Sequence, residues 1–437
     1  MNKASSQFAV AESGHQTSHP TFREAFRFWL KLGFISFGGP SGQIALMHTE
    51  LVEKRKWIDN EHFLHALNFC MLLPGPEAQQ LAIYIGWILH KLWGGIVAGA
   101  LFVIPSIFIL WALSYVYVAF GHVPWIAAIF YGLKPAVLAI VVAAVIRIGQ
   151  RALRSWMMRL IAAAAFVAIY FFHVAFPLII ISAGILGFAI GKMRNQRSTS
   201  TSETEMPIQA RLMTPGRAVR LCATWFAIWA TPIVLAGIFL GTKHTIFREG
   251  VFFSKAAVVT FGGAYAVLPY VSQQAVEHYH WISAGQMLDG LGLAETTPGP
   301  LIMVLQFVGF VGAWNQPGNL PPLLAATLGA LITTWTTFVP CFLWIFLGAP
   351  YIERLRDNQS LIATLSAVTA AVVGVILNLA VWFGLHVIFP PSGTIDWFAL
   401  VVCAVAFFGM LRWKWNIVPV VLGSGLIGLI YTLAGFR

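Results

Sequence analysis

The chain carries one block of itself twice. Phe28 to Leu81 returns, displaced by 224 positions and with no gap, as Phe252 to Leu305. FGGP at Phe37–Pro40 comes back as FGGA at Phe261–Ala264, and Pro74-Gly75-Pro76 as Pro298-Gly299-Pro300. Lys31, Glu53, Trp57 and Ile58 recur in register as Lys255, Glu277, Trp281 and Ile282. Duplicated apolar halves, interrupted by Gly and Pro at matching positions, point to a transporter with its binding site at the interruptions.

Composition sets the medium. Of 437 residues 58% are hydrophobic and only 10% charged, against about 25% charged in a soluble domain. Such a chain cannot cover itself with polar surface and belongs in a bilayer. Its apolar runs are continuous and repeatedly about 18 residues or longer, the length of a spanning helix; a β-barrel would show alternation instead. The fold expected is an all-α polytopic membrane protein, with about 13 transmembrane segments in two inverted homologous halves and broken or re-entrant helices. The net charge of +11 lies mostly in short segments between apolar runs. That distribution fits orientation by the positive-inside rule rather than nucleic-acid binding, and a positive field also suits an anionic substrate. Cys70, Cys222, Cys341 and Cys403 are unpaired by spacing and read as small buried hydrophobes. Residues 1–20 show no signal-peptide pattern.

The segmentation reads as a polar tail (1–24), a first repeat (25–191), a linker (192–220), an extra transmembrane helix (221–241) and a second repeat (242–437). Candidate spans in the first repeat are 25–47, 63–90, 94–119, 125–147, 159–175 and 177–191. The second repeat gives 250–272, 286–314, 320–347, 362–385, 397–411 and 417–434. Arg23, Arg27 and the basic linker are expected on the cytoplasmic side. The extra helix then starts the second repeat from the opposite face, which inverts it and leaves the C-terminus periplasmic. Lys54-Arg55-Lys56 would fall outside if 25–47 and 63–90 span, and inside if they are re-entrant hairpins; the sequence leaves both open.

The interruptions are where chemistry is expected. Two glycines and a proline in an apolar helix free backbone N–H groups. In hydrocarbon such a break survives only where protein or a water-filled cavity satisfies it. The start of a half-helix presents partial positive charge to an anion. Ser36, Phe37, Gly38, Gly39 and Pro40, with Thr260, Phe261, Gly262 and Gly263, are therefore candidates for binding substrate, although close helix packing at Gly is a competing reading. Pro74, Gly75 and Pro76, with Pro298, Gly299 and Pro300, can each start a helix without an unmet donor. Glu77 and Glu295 are acids in apolar stretches and candidate coupling groups, although Glu77 could simply cap its helix. Lys31 and Lys255 could attract an anion or snorkel to headgroups. The hydroxyls of Ser36 and Thr260 could donate to a tetrahedral oxyanion or bond back to the preceding turn. Asn68, Gln79, Gln80 and Gln306 could line the pathway or join helices. His62 and His65 stand three apart but lack further ligands, so no metal or other cofactor is expected. With no P-loop or nucleophile elbow, transport is expected to be secondary. The other class kept open is a membrane-embedded metalloenzyme using His62 and His65.

At FGGP, ELVEKRKWID and LLPGPEAQQLA, and again at TFGGAYAVLPYV and ETTPGPLIMVLQFVGF, the chain closely resembles the chromate transporter family, of the long two-domain ChrA type. The resemblance implies a bacterial inner-membrane protein, not an enzyme, that exports chromate, confers resistance and is coupled to protons or to membrane potential. It is compatible with a homodimer. Sulfate has the same shape and charge, so a sulfate or general oxyanion carrier is the alternative substrate reading.

Overall fold

The computed structural model describes residues 19–195, 214–349, 359–390 and 393–435. Among these there is no strand. Six helices are long and apolar enough to cross a membrane, and the molecule is a multi-pass helical membrane protein.

The first repeat opens with three short helices that lead into the long α4. α1 (Phe22–Ile35) is started by a capping box in which Thr21 and Glu24 exchange hydrogen bonds. The FGGP break follows, then α2 (Gly39–His48), extended by a turn of π-helix (Thr49–Lys54). α3 (Asn60–Cys70) is capped by Asp59. The PGP break leads into α4 (Glu77–Phe120), which folds back on itself at His90 and Lys91, where Lys91 takes a φ of 53°.

These helices are too short to cross alone. The 14 residues of α1 rise about 21 Å, against about 30 Å of hydrocarbon. Contacts show how they are arranged. The Phe28 ring lies 5.3 Å from Trp57, so the chain returns past its own start after the first break. Phe22 lies 5.4 Å from His90, so it returns again after the second. Residues 25–47 and 63–90 are therefore hairpins with a break at each tip, the re-entrant option. The charged loop between them is tied together locally: Lys54 donates to Glu50 at 2.7 Å, and that hydrogen bond holds the Glu50 carboxyl below its ordinary pKa against partial burial. Arg55 lies 5.0 Å from both the Phe28 and Trp57 rings.

The second repeat is built the same way from α9 (Thr245–Val259), α10 (Ala264–Ser272) with a π-turn (Gln273–His278), α11 (Ala284–Thr296) and α12 (Val304–Asn315). Phe252 lies 5.7 Å from Trp281, the counterpart of the Phe28–Trp57 contact, and Asn315 donates to the Trp281 carbonyl at 2.9 Å. The full-length crossings are the long arm of α4, α5 (Pro124–Ala152), α7 (Phe176–Asn195), α8 (Pro215–Phe239), α13 (Pro322–Gly348) and α14 (Gln359–Ile388). Shorter apolar helices α6 (Trp156–Tyr170), α15 (Trp397–Arg412) and α16 (Ile417–Leu433) pack among them. Near the far end of α4, Tyr117 donates to Asp289, in the first half of α11, at 2.9 Å. The end of the bundle that α4 reaches is thus the one from which the second repeat's hairpins set out.

The fold in α4 depends on close backbone approach. A Cβ at Gly94 would meet the Gly86 carbonyl and one at Gly86 the Gly94 carbonyl, both well inside contact distance. Gly94→Val is expected to force the two arms apart at a cost of about 1–3 kcal/mol. A thermal-shift measurement on the purified protein should show a melting temperature several degrees lower; an unchanged one would refute this packing.

Candidate functional site

The four breaks meet in the centre of the molecule and are paired between repeats. Gly299 N–H donates to the Ser36 carbonyl at 2.7 Å, and Gly75 N–H donates to the Thr260 carbonyl at 2.8 Å. Subtracting 224 from 299 and 260 gives 75 and 36, so one bond is the pseudo-symmetric image of the other. The carbonyl that ends α1 in one repeat thus receives the PGP turn of the other, and the reverse.

Glycine is required at these turns. Gly75 and Gly299 have φ of 120° and 110°; Gly38, Gly39, Gly262 and Gly263 lie between 69° and 89°. Side-chain room is also absent at the PGP turns. A Cβ on Gly299 would collide with the Ser106 hydroxyl, and one on Gly75 would lie 2.9 Å from the Cys341 sulfur. Ser106 and Cys341 each follow a helix proline, Pro105 and Pro340. Ser106 also donates to the Pro298 carbonyl at 2.6 Å. Gln43 amide donates to the carbonyls of both Gly299 and Ser36 at 2.5 and 3.3 Å. Gln80 donates to the Pro74 carbonyl at 2.7 Å, and Gln306 to that of Ile107 at 2.8 Å.

Four helices start here: α2 at Gly39, α10 at Ala264, α4 at Glu77 and the 3-10 turn into α12 at Leu301. Their N-terminal N–H groups and dipoles make the centre electropositive although few basic side chains enter it. The two repeats also differ beside the breaks. A Cβ at Gly263 would lie 3.8 Å from a Glu77 carboxyl oxygen, whereas at Gly39 there is nothing within 4 Å. The counterpart of Glu77 is Leu301. A Glu77 carboxyl oxygen thus lies beside the second-repeat break, and no atom stands in the same place at the first-repeat break, where Phe37 is 40% exposed.

The other expected residues are placed as follows. Ser36 and Thr260 hydroxyls both donate to the preceding turn, to Leu32 and Ala256 carbonyls at 2.6 Å, so what these residues bring to the centre is their carbonyls. Lys31 and Lys255 are exposed, six residues or about 9 Å of helix from the breaks. Glu295 is buried and accepts from Tyr265 at 2.5 Å. His62 is 71% exposed and bound to Asp59 at 2.5 Å, and His65 lies 3.9 Å from Glu61. Among the described residues no group of three His, Cys, Asp or Glu is placed to hold a metal.

Residue-by-residue reading of the sequence passed over Gln43, Ser106, Tyr265 and the cluster in which buried Asp289 accepts from Tyr117 and lies 3.7 Å from Lys134. Asp289 and Lys134 carried a usable signal, an ionisable residue inside an apolar helix.

The chromate transporter family model matches residues 23–188 and 248–429. The chain belongs to the chromate transporter family. It is 29% identical over 431 residues to the chromate transport protein of Cupriavidus metallidurans, covering 96% of each chain. It is 31% identical over 420 residues to that of Pseudomonas aeruginosa, covering 93% of this chain and 92% of the other. A probable chromate transport protein of Synechococcus elongatus is 27% identical over 369 residues, covering 84% and 86%. No solved structure matches the chain. The matched segments cover the two repeats and leave out the whole of α8.

Proposed function

We propose that this family member is a secondary transporter that exports chromate from the cytoplasm across the bacterial inner membrane, drawing on the proton motive force and so conferring chromate resistance. The observation that carries the reading is the pair of exchanged bonds at the break tips. They tie four electropositive helix starts into one pseudo-symmetric centre, with backbone freed where protein satisfies it. The two halves act as inverted repeats, related by the odd extra crossing α8, with the N-terminus cytoplasmic and the C-terminus periplasmic. The oxyanion is cradled at the open first break, Gly38, Gly39 and Pro40, by N–H groups starting α2. The second break, Gly262 and Gly263, holds the Glu77 carboxyl in the equivalent place. Alternating access then re-pairs the tips around a fixed site, with Glu77 and Glu295 as coupling groups, and Lys31 and Lys255 raise the local oxyanion concentration from the rim.

The test is uptake of radiolabelled chromate into inside-out vesicles carrying the protein, with excess sulfate and with a protonophore. Accumulation that collapses with protonophore and persists in sulfate is expected. Competition by sulfate would make it a general oxyanion carrier. No accumulation above empty vesicles would refute export.

A further inference from the structure

Just over one turn into α9, Glu249 is fully buried, and neither of its carboxyl oxygens has a hydrogen-bond partner. It lies in a slot made of glycine. A Cβ on Gly312 of α12 would sit 2.8 Å from one carboxyl oxygen, and a Cβ on Gly329 of α13 2.8 Å from the other. One turn beyond Gly329, the Thr333 hydroxyl is also buried without a partner.

The walls offer no compensating charge. α12 and α13 contain no charged residue, and in α8 only Arg217 and Arg220 near its start are charged. On α9 itself the titratable or charged neighbours are His244 at the cap, Arg248 and Lys255; the returning π-turn and loop carry Glu277, His278, Tyr279 and His280. An ionised carboxylate in such a place costs several kcal/mol even after relaxation, whereas the neutral acid costs far less. Packing does not call for an acid here. Position 249 less 224 is 25, and the first repeat builds the same hairpin with Ala25, 3% exposed, at that place.

We propose that Glu249 is a proton-binding site of the transport cycle. In the conformation described it is a neutral acid locked in the Gly312–Gly329 slot. When the α9–α10 hairpin shifts against α12 and α13, the O–H bond breaks, the proton passes to water at the His244 end of the bundle, and the carboxylate is left hydrated. Coupling is mechanical, because α9 runs into Thr260, whose carbonyl holds the Gly75 turn. The assignment rests on the transport reading and adds a third acid to it, outside the paired breaks.

The test uses the purified full chain and its Glu249→Gln variant in proteoliposomes. Gln matches the neutral acid in shape, so the variant is expected to keep the wild-type melting temperature to within about a degree. It is expected to retain chromate–chromate exchange and to lose at least nine-tenths of the chromate movement driven by an imposed pH gradient. A markedly lower melting temperature would overturn the neutral-acid assignment, whatever the transport result. Retention of both activities, or loss of both in a variant that melts normally, would overturn the proton-carrying role. Wild-type protein that exchanges no chromate would instead refute the transport reading, and the melting comparison still decides the protonation state.

Discussion

Gly299→Ala is expected to reduce chromate transport below a tenth of wild type, and a second substitution, Ser106→Gly, to restore a large part of it. Two costs add at Gly299. Its φ of 110° is a conformation that an L side chain adopts only with strain, about 1–2 kcal/mol by the usual left-handed penalty. The new methyl would also occupy the place of the Ser106 hydroxyl and lie 2.8 Å from the Ser106 Cβ. Neither group can retreat without loss, because Gly299 N–H is bonded to Ser36 and Ser106 is bonded to Pro298. Removing the Ser106 side chain relieves only the collision, so the double variant should recover the steric part and keep the backbone strain. The non-additive rescue should be worth about 0.5–3 kcal/mol. Gly241→Ala, in the turn after α8 and away from the breaks, is the control. Its φ is 89° and a new Cβ would find nothing within 4 Å, so it carries strain alone and should transport better than Gly299→Ala. Wild-type transport by Gly299→Ala would show that the paired tips are not part of the moving machinery.

The repeat made the centre of this protein legible because it sampled the same architecture twice. Matching glycines and prolines at a spacing of 224 marked the four break tips, and those are the residues the structure brings together. What the repeat could not mark is what the two copies do not share. Gln43 aligns with Val267, Glu249 with Ala25 and Asp289 with His65, so comparing the copies screened out polar residues the structure buries. The choice between crossing and re-entering was also closed to sequence, since an apolar run of 23 residues (25–47) can do either. It is settled by the return of Trp57 to Phe28, a contact 29 positions apart. Sequence also left two uses open for the hydroxyls at the breaks. A Ser or Thr at the end of a helix has an acceptor one turn back, and Ser36 and Thr260 both use it.

Glu77→Gln is expected to abolish the pH dependence of chromate transport while leaving the protein folded. The Glu77 carboxyl lies beside the helix start at Gly263, and the first repeat has no atom in the same place. As a carboxylate it neutralises one electropositive terminus and repels an oxyanion at the centre; when it takes up a proton both effects vanish. Two unit charges about 8 Å apart at an effective dielectric constant of 20 interact by about 2 kcal/mol, a factor of about 30 in affinity. The sign follows directly: acid should strengthen oxyanion binding in the wild type, and Gln should hold the strong-binding form at every pH. The variant's profile should therefore be flat, meeting the wild type at its acid end and exceeding it in alkali. Because chromate itself takes up a proton in mild acid, displacement by sulfate is measured across the same range to separate the ligand's titration from the protein's. A variant whose alkaline limb still falls as in the wild type would remove Glu77 from coupling and leave it as the cap of α4. If pH dependence is lost in Glu77→Gln but kept for exchange in Glu249→Gln, the two acids do different work, one setting the charge at the site and the other carrying the proton that drives it.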